Sequence, residues 1–228
     1  MSLSERGMPR RFLPGNATKF LHRRSMELLG LCLLTLAFSL LLINLTYNSA
    51  DPSFNTIGSS ETKNLLGSVG AAIADISLQG LGLANIAIII VLGAWGMQLV
   101  SQRVIGRVMQ RIFCLFIAIA MIATSFAALP TPDIWPLNTG LGGVTGWILF
   151  QQLMRVEEAL NFSASLLVYV VALIGLIIFL WCLGIKVREY IFLARVIQRN
   201  LSLIVGAAIK VVPMGSQLLT FSLRSLKP

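Results

Sequence analysis

Four stretches of this chain, 26–47, 76–100, 112–129 and 163–185, each run for at least 18 residues on mostly apolar side chains. Crossing a hydrocarbon core as a helix takes about 20 such residues at roughly 1.5 Å of rise each, so every run predicts a membrane span. Only the first contains an Asp, Glu, Lys or Arg, and that residue, Glu27, stands at its very start. The third run is the shortest, about 27 Å as a helix, and is expected to stand nearly upright. A mean hydropathy of +0.83 with 12% charged residues leaves too little charge to cover a soluble surface. The expectation is an all-α integral membrane protein with four transmembrane helices.

The first run follows a basic segment, as a signal peptide would. Its apolar core is too long for one, and Asn48 and Ala50 make a poor cleavage site, so it reads as an uncleaved anchor.

Basic residues divide sharply along the chain. Residues 1–25, the 101–111 connection and the tail from Lys186 hold 16 of the 18 Lys and Arg, and four spans put all three regions on one side. The other side keeps only Lys63 and Arg155, against Asp51, Glu61, Asp75, Asp133, Glu157 and Glu158. The positive-inside rule therefore predicts cytoplasmic termini. It also sets the organisation: 1–25 a basic cytoplasmic segment, 26–185 a four-span domain, 186–228 a juxtamembrane segment and the start of a linker. Topology accounts for nearly all of the net charge of +9, so no direct nucleic-acid binding is expected.

Within the tail, Arg188, Arg195, Arg199, Ser202, Gly206 and Lys210 recur on one helical face, opposite Ile191, Val196, Leu203 and Ile204. That pattern predicts a basic amphipathic helix on an anionic inner leaflet. A fifth span is the rival reading, but its uncharged core, Leu201 to Ile209, is only nine residues long.

On the outer side, Asp51 and Pro52 fit positions i and i+1 of a type I turn, with Ser53 following, that ends the first span. Asn64 suits an N-cap, and Gly67, Gly70, Ala71 and Ala74 give a small-residue face before Asp75. This predicts a short interfacial or re-entrant helix leading into the second span. Residues 65–73 align with 140–148, matching Gly67 with Gly142, Val69 with Val144 and Ile73 with Ile148. The halves then form a parallel repeat, with chance likeness of glycine-rich segments as the alternative.

Polar residues inside the bilayer are few. Asn44, Gln79 and Asn85 are placed to bond across helices, and Ala120, Thr124 and Ala128 form a stripe for close helix approach, within the bundle or between subunits. Glu27 and Asp75 lie near interfaces, where a carboxylate is expected to be solvated, and His22 is read as facing headgroups.

Catalytic, cofactor and metal residues are expected to be none. Cys32, Cys114 and Cys182 lie in spans without metal-ligand spacing. The run from Gly140 to Gly146 only approximates a dinucleotide fingerprint and follows no strand, and no Gly-Lys-Ser/Thr makes a Walker A loop. A free-standing transporter or membrane enzyme is the alternative class, but the ionisable midplane groups it needs are missing.

The order Tyr47, Asp51-Pro52-Ser53, Asn64, Gly67, Gly70-Ala71, Ala74-Asp75, Gly82, Leu129-Pro130 and Gly142-Gly143 resembles the N-terminal four-span domain of the FtsK/SpoIIIE-type septal DNA translocases, across residues 25–185. The resemblance implies a multi-pass module of the bacterial inner membrane, sited at the division septum. It implies that the module anchors the translocase, self-associates and contacts other cell-division proteins. A separate C-terminal motor, absent from these 228 residues, would hydrolyse ATP and move DNA.

Overall fold

The computed structural model describes residues 15–53, 62–160, 164–185 and 195. Among them every regular element is helical: α1 (Gly15–Leu45), α2 (Gly67–Leu81), α3 (Asn85–Val100), α4 (Val108–Ala127), α5 (Gly143–Leu160) and α6 (Ala164–Leu183). A three-residue 3-10 turn, Gly82–Ala84, joins α2 to α3. Among the described residues four helical stretches are long and apolar enough to cross a membrane: Ala17–Leu45, Gly67–Val100, Val108–Ala127 and Leu166–Leu183. The described residues thus adopt the expected all-α, four-span architecture.

Three boundaries differ from the sequence reading. First, α1 begins at Gly15, so Lys19, Arg23 and Arg24 are already helical ahead of the apolar run. At 31 residues it is about 46 Å long, longer than a hydrocarbon core, and its basic end extends past the apolar run. Second, the small-residue segment is no separate helix ending at Asp75. It continues as α2 to Leu81, and the break falls at Gly82, where the left-handed φ of +57° stops the α2 ladder. Third, the connection before the last span contains α5, an 18-residue helix. Its Gln151, Gln152, Arg155, Glu157 and Glu158 make it too polar to join the spans.

The chain divides into two compact units, Met1–Gly184 and Ile185–Pro228. Of the second, only Ile185 and Arg195 are described, Arg195 being helical and exposed. Arg188, Arg199, Lys210 and the expected amphipathic helix lie outside the described residues.

In the first unit, α1 packs antiparallel on α3, and α4 antiparallel on α6. Gly30 of α1 faces Gly96 and Val100, while Asn44 near its other end faces Asn85. Similarly, Gly175 of α6 meets Met121 in mid-span, and Cys182 lies beside Arg111 at the start of α4. Many buried positions are small residues such as Ala71, Ala74, Ala84, Ala118 and Ala123, whereas Phe38, Phe113, Phe116 and Leu173 point outward. Lipid tails are as apolar as leucine, so nothing drives large side chains inward, and helices associate where small residues let their backbones approach.

One such approach joins α1 to α3. A Cβ on Gly30 would lie 2.8 Å from the Gly96 carbonyl oxygen, and one on Gly96 would lie 2.9 Å from that of Gly30. Gly30→Leu is expected to lower the free energy of unfolding by about 1–3 kcal/mol in a thermal melt of the detergent-solubilised chain. Gly93→Leu, on α3 with nothing within 4 Å of a new Cβ, should leave the melt unchanged or slightly raised.

Candidate functional site

The end of the bundle where α1 stops and α2 begins is tied by backbone bonds to two buried side chains, Asp51 and Asn64. The turn after α1 starts earlier than expected. Asn48 Oδ1 accepts the Ala50 N–H at 3.0 Å, and the Asn48 carbonyl accepts the Asp51 N–H at 3.1 Å. Asp51 is therefore the turn's last residue, with Pro52 and Ser53 leading away from it. Its carboxylate does not bond locally. Oδ1 accepts the Lys63 N–H and Oδ2 the Asn64 N–H, each at 2.9 Å, closing the far ends of the 52–63 loop.

Asn64 carries the tie onward to α1. Its side-chain NH2 donates to the Ile43 carbonyl at 2.9 Å and to the Thr46 carbonyl at 3.4 Å, so it closes carbonyls that the end of α1 leaves open. Its Oδ1 accepts the Leu66 N–H at 3.1 Å, and its carbonyl accepts the Gly67 N–H at 2.9 Å. It is thus not the N-cap of α2. That position is Leu66, which has no side-chain cap, and Asn64 works two residues earlier.

The two glycines that follow act for different reasons. Gly70 is needed for space, since a Cβ there would lie 2.5 Å from Asn64 Oδ1 and 2.7 Å from Leu66 Cβ. Gly67 has nothing within 4 Å but a φ of +67°, which L side chains rarely adopt. Ala71 and Ala74 are fully packed beside them.

Asp75 is not the solvated carboxylate expected. It is 4% exposed, and its Oδ1 accepts the Tyr47 hydroxyl at 2.9 Å and Gln79 Nε2 at 2.8 Å. Burial, and then this bond to Asp75, push the Tyr47 phenol above its ordinary range, so it remains a donor. Asn85 does bond across helices, donating to Asn44 Oδ1 at 2.9 Å, and also to Ser77 Oγ at 3.2 Å. The Gln79 amide donates to Asp75 within α2.

A second joint holds the two halves together. At the α2–α3 break the Leu83 N–H donates to the Leu141 carbonyl at 2.8 Å. No side chain fits in that contact. A Cβ on Gly82 would strike the Leu141 carbonyl, and one on Gly143 would lie 2.6 Å from the Gly82 nitrogen. Gly142 seats likewise on the Ala123 carbonyl and on Ala127 of α4. Close approach to α4 thus uses Ala123 and Ala127, one step round from the expected stripe. Ala120 and Thr124 line the adjoining cleft with Leu149 and Leu153 of α5. Both α2 and α5 start on a left-handed glycine, Gly67 and Gly143, which shifts the expected correspondence of Gly67 with Gly142 by one residue.

The opposite, basic end has a clamp that the sequence reading missed. The last carbonyls of α6 accept from three side chains: Trp181 from Arg111 at 2.6 Å, Cys182 from Trp95 at 3.0 Å and Leu183 from Gln98 at 2.7 Å. Gly184, at φ +70°, ends the helix there. In the sequence Arg111 is only one more connection charge. Likewise Asn48 is hidden there because Asn-Ser-Ala-Asp offers two equally good turn starters.

Among the described residues no group of three His, Cys, Asp or Glu is placed to hold a metal ion. The named bonds of Asp51 and Asp75 are structural, and the arrangement fixes backbone positions at one end of the bundle.

Comparison with known proteins decides the family. Residues 22–191 match the family model described as the 4TM region of DNA translocase FtsK/SpoIIIE. The chain belongs to that FtsK/SpoIIIE four-span family. It is 36% identical over 130 residues to the DNA translocase FtsK of Rhizobium meliloti, a match covering 57% of this chain and 15% of that protein. The FtsK of Agrobacterium fabrum is 37% identical over 130 residues (57% and 14%), and that of Caulobacter vibrioides 40% over 121 (51% and 15%). The matches therefore span only about 15% of the length of these relatives. No solved structure gives a significant match. The four-span region matched takes in the Asp51–Asn64 tie, the Gly82–Gly143 joint and the α6 clamp.

The tie gives a direct expectation. Asp51→Ala removes two charge-assisted bonds, one from a buried and one from a part-buried amide, and should cost about 3 kcal/mol in chemical denaturation of the solubilised chain. Asp51→Asn, which keeps one acceptor, should lose less. Lys63→Ala is the control, since only its backbone amide is bonded to Asp51.

Proposed function

We propose that this chain is the membrane-anchoring, self-associating and division-site-targeting module of a DNA translocase of the bacterial inner membrane. The match of the four-span family region over residues 22–191 carries this reading. Relatives named DNA translocase extend far beyond the matched segment, which is where a motor would lie. This module then supplies no catalytic group, cofactor site or nucleic-acid contact. It works as a fixed platform, with 1–25 as its basic cytoplasmic segment, 26–185 as its membrane domain and 186–228 as the connector.

Both termini are assigned to the cytoplasm. Lys19, Arg23, Arg24, Arg103, Arg107 and Arg111 gather at one end of the bundle, which supports this orientation and a contact with an anionic inner leaflet. The Asp51–Asn64 tie, the start of α2 and the Gly142-Gly143 joint then face the periplasm, where other division proteins and a second copy are the proposed partners. A rigid outer surface suits such recognition, because little ordering cost remains to be met on binding.

Two experiments test the reading. Reporter fusions after Phe54 and Trp135 should be active only outside, and those after Arg107 and Lys186 only inside; an inside signal from Phe54 would overturn the orientation. A fluorescent fusion of the chain alone should collect at midcell. The Gly67→Leu, Gly70→Leu double variant should stay in the membrane but lose that enrichment or self-association. An even distribution of the wild-type fusion in normally dividing cells would remove the septal assignment.

A further inference from the structure

At the basic end of the bundle, the first turns of α1 and the 101–107 connection enclose a cleft of about 210 Å3. It is lined by His22, Arg23, Met26, Gln102, Arg103 and Val104. The connection is held there in an uncommon backbone. Gln102 and Arg107 both take left-handed φ values, 56° and 57°, without being glycine. Such conformations persist where the surroundings enforce them.

For Gln102 the enforcing contact is visible. Its amide donates to Glu27 Oε1 at 2.6 Å, and Glu27 also pairs with Arg23 at 3.3 Å and with Arg24. One carboxylate thus fastens the connection to α1 beside the cleft. Against it stand five cations on the same two segments: Lys19, Arg23, Arg24, Arg103 and Arg107. Among the described residues these two segments carry an excess of positive charge, and Arg23 and Arg103 line the cleft itself.

Its two sides differ in chemistry. Arg23, Arg103, His22 and Gln102 supply donors suited to a phosphate oxygen. Met26 and Val104 supply an apolar wall, and Met26 lies where α1 passes from its charged turns into the uncharged apolar run that starts at Leu28. A ligand matching both sides has an anionic phosphate joined to a hydrocarbon tail. A free phosphate would leave the apolar wall unused.

We propose that this cleft binds the phosphate of an anionic glycerophospholipid, held by Arg23 and Arg103, with an acyl chain lying along Met26 and Val104. The site is specific within the general attraction of a basic surface for anionic lipid. It requires neither septal location nor a translocase motor.

Native mass spectrometry of the full chain in detergent tests this, with dioleoyl phosphatidylglycerol, dioleoyl phosphatidylethanolamine and inorganic phosphate as probes. One phosphatidylglycerol should be retained on the order of tenfold more tightly than phosphatidylethanolamine, and millimolar inorganic phosphate should not displace it. The Arg23→Gln, Arg103→Gln double variant should lose the preference. Lys63→Gln with Arg155→Gln removes as many charges away from the cleft and should keep it. Val104 is 85% exposed, so Val104→Glu disturbs no packed core yet puts a carboxylate at the mouth; it should abolish the preference even if the double variant misfolds. An undiminished preference in Val104→Glu, or in a folded double variant, would overturn the site. Displacement by inorganic phosphate would overturn the lipid as its ligand.

Discussion

A backbone amide or carbonyl facing hydrocarbon has no water to turn to, and each one left open costs several kcal/mol. The design of this chain follows from that constraint. Within the spans the helical ladder meets it. Where a helix stops or breaks, another segment must supply the missing partner, and that need accounts for the main polar contacts of the first unit. Asn64 closes carbonyls at the end of α1, Leu141 receives the Leu83 amide at the α2–α3 break, and Trp95, Gln98 and Arg111 donate to the end of α6. Because each partner comes from a distant part of the chain, satisfying the backbone also fixes the tertiary arrangement.

Glycine and alanine make those bonds reachable. A bond from Leu83 to Leu141 requires two backbones at van der Waals distance, which only Gly82 and Gly143 allow. The same logic places Gly30 on Gly96 and Gly142 on Ala123. Large apolar side chains are left to face lipid, an arrangement that would be an aggregation hazard in water and costs nothing in a bilayer.

The spans are legible in the sequence because a long uncharged apolar run suits a hydrocarbon core and little else. The small residues Gly70, Ala71, Gly142 and Gly143 also stand out there, but their partners do not. Local pattern points to a turn starting at Asp51 and a cap at Asn64, whereas Asp51 reaches 12 residues ahead and Asn64 reaches 21 residues back. Position along the chain makes Asp75 look solvated, but Tyr47 and Gln79 surround it in three dimensions. Periodicity reports which face a residue occupies, and carries no information about which distant carbonyl waits opposite. The α6 clamp is invisible for the same reason: Trp95, Gln98 and Arg111 each look ordinary in a span or connection until Gly184 brings the helix end beside them.

For the proposed platform, which would present one surface to partners and anchor a chain on the other side, closed helix ends matter because they keep that surface from fraying. Amide hydrogen exchange of the chain in lipid nanodiscs measures this most directly. If the α2–α3 break is closed by Leu141, the Leu83 amide should be protected nearly as well as the middle of α3, and far better than residues 103–106 of the exposed connection. Exchange at Leu83 as fast as in that connection would show the break to be open and would contradict the principle on which the bundle is built.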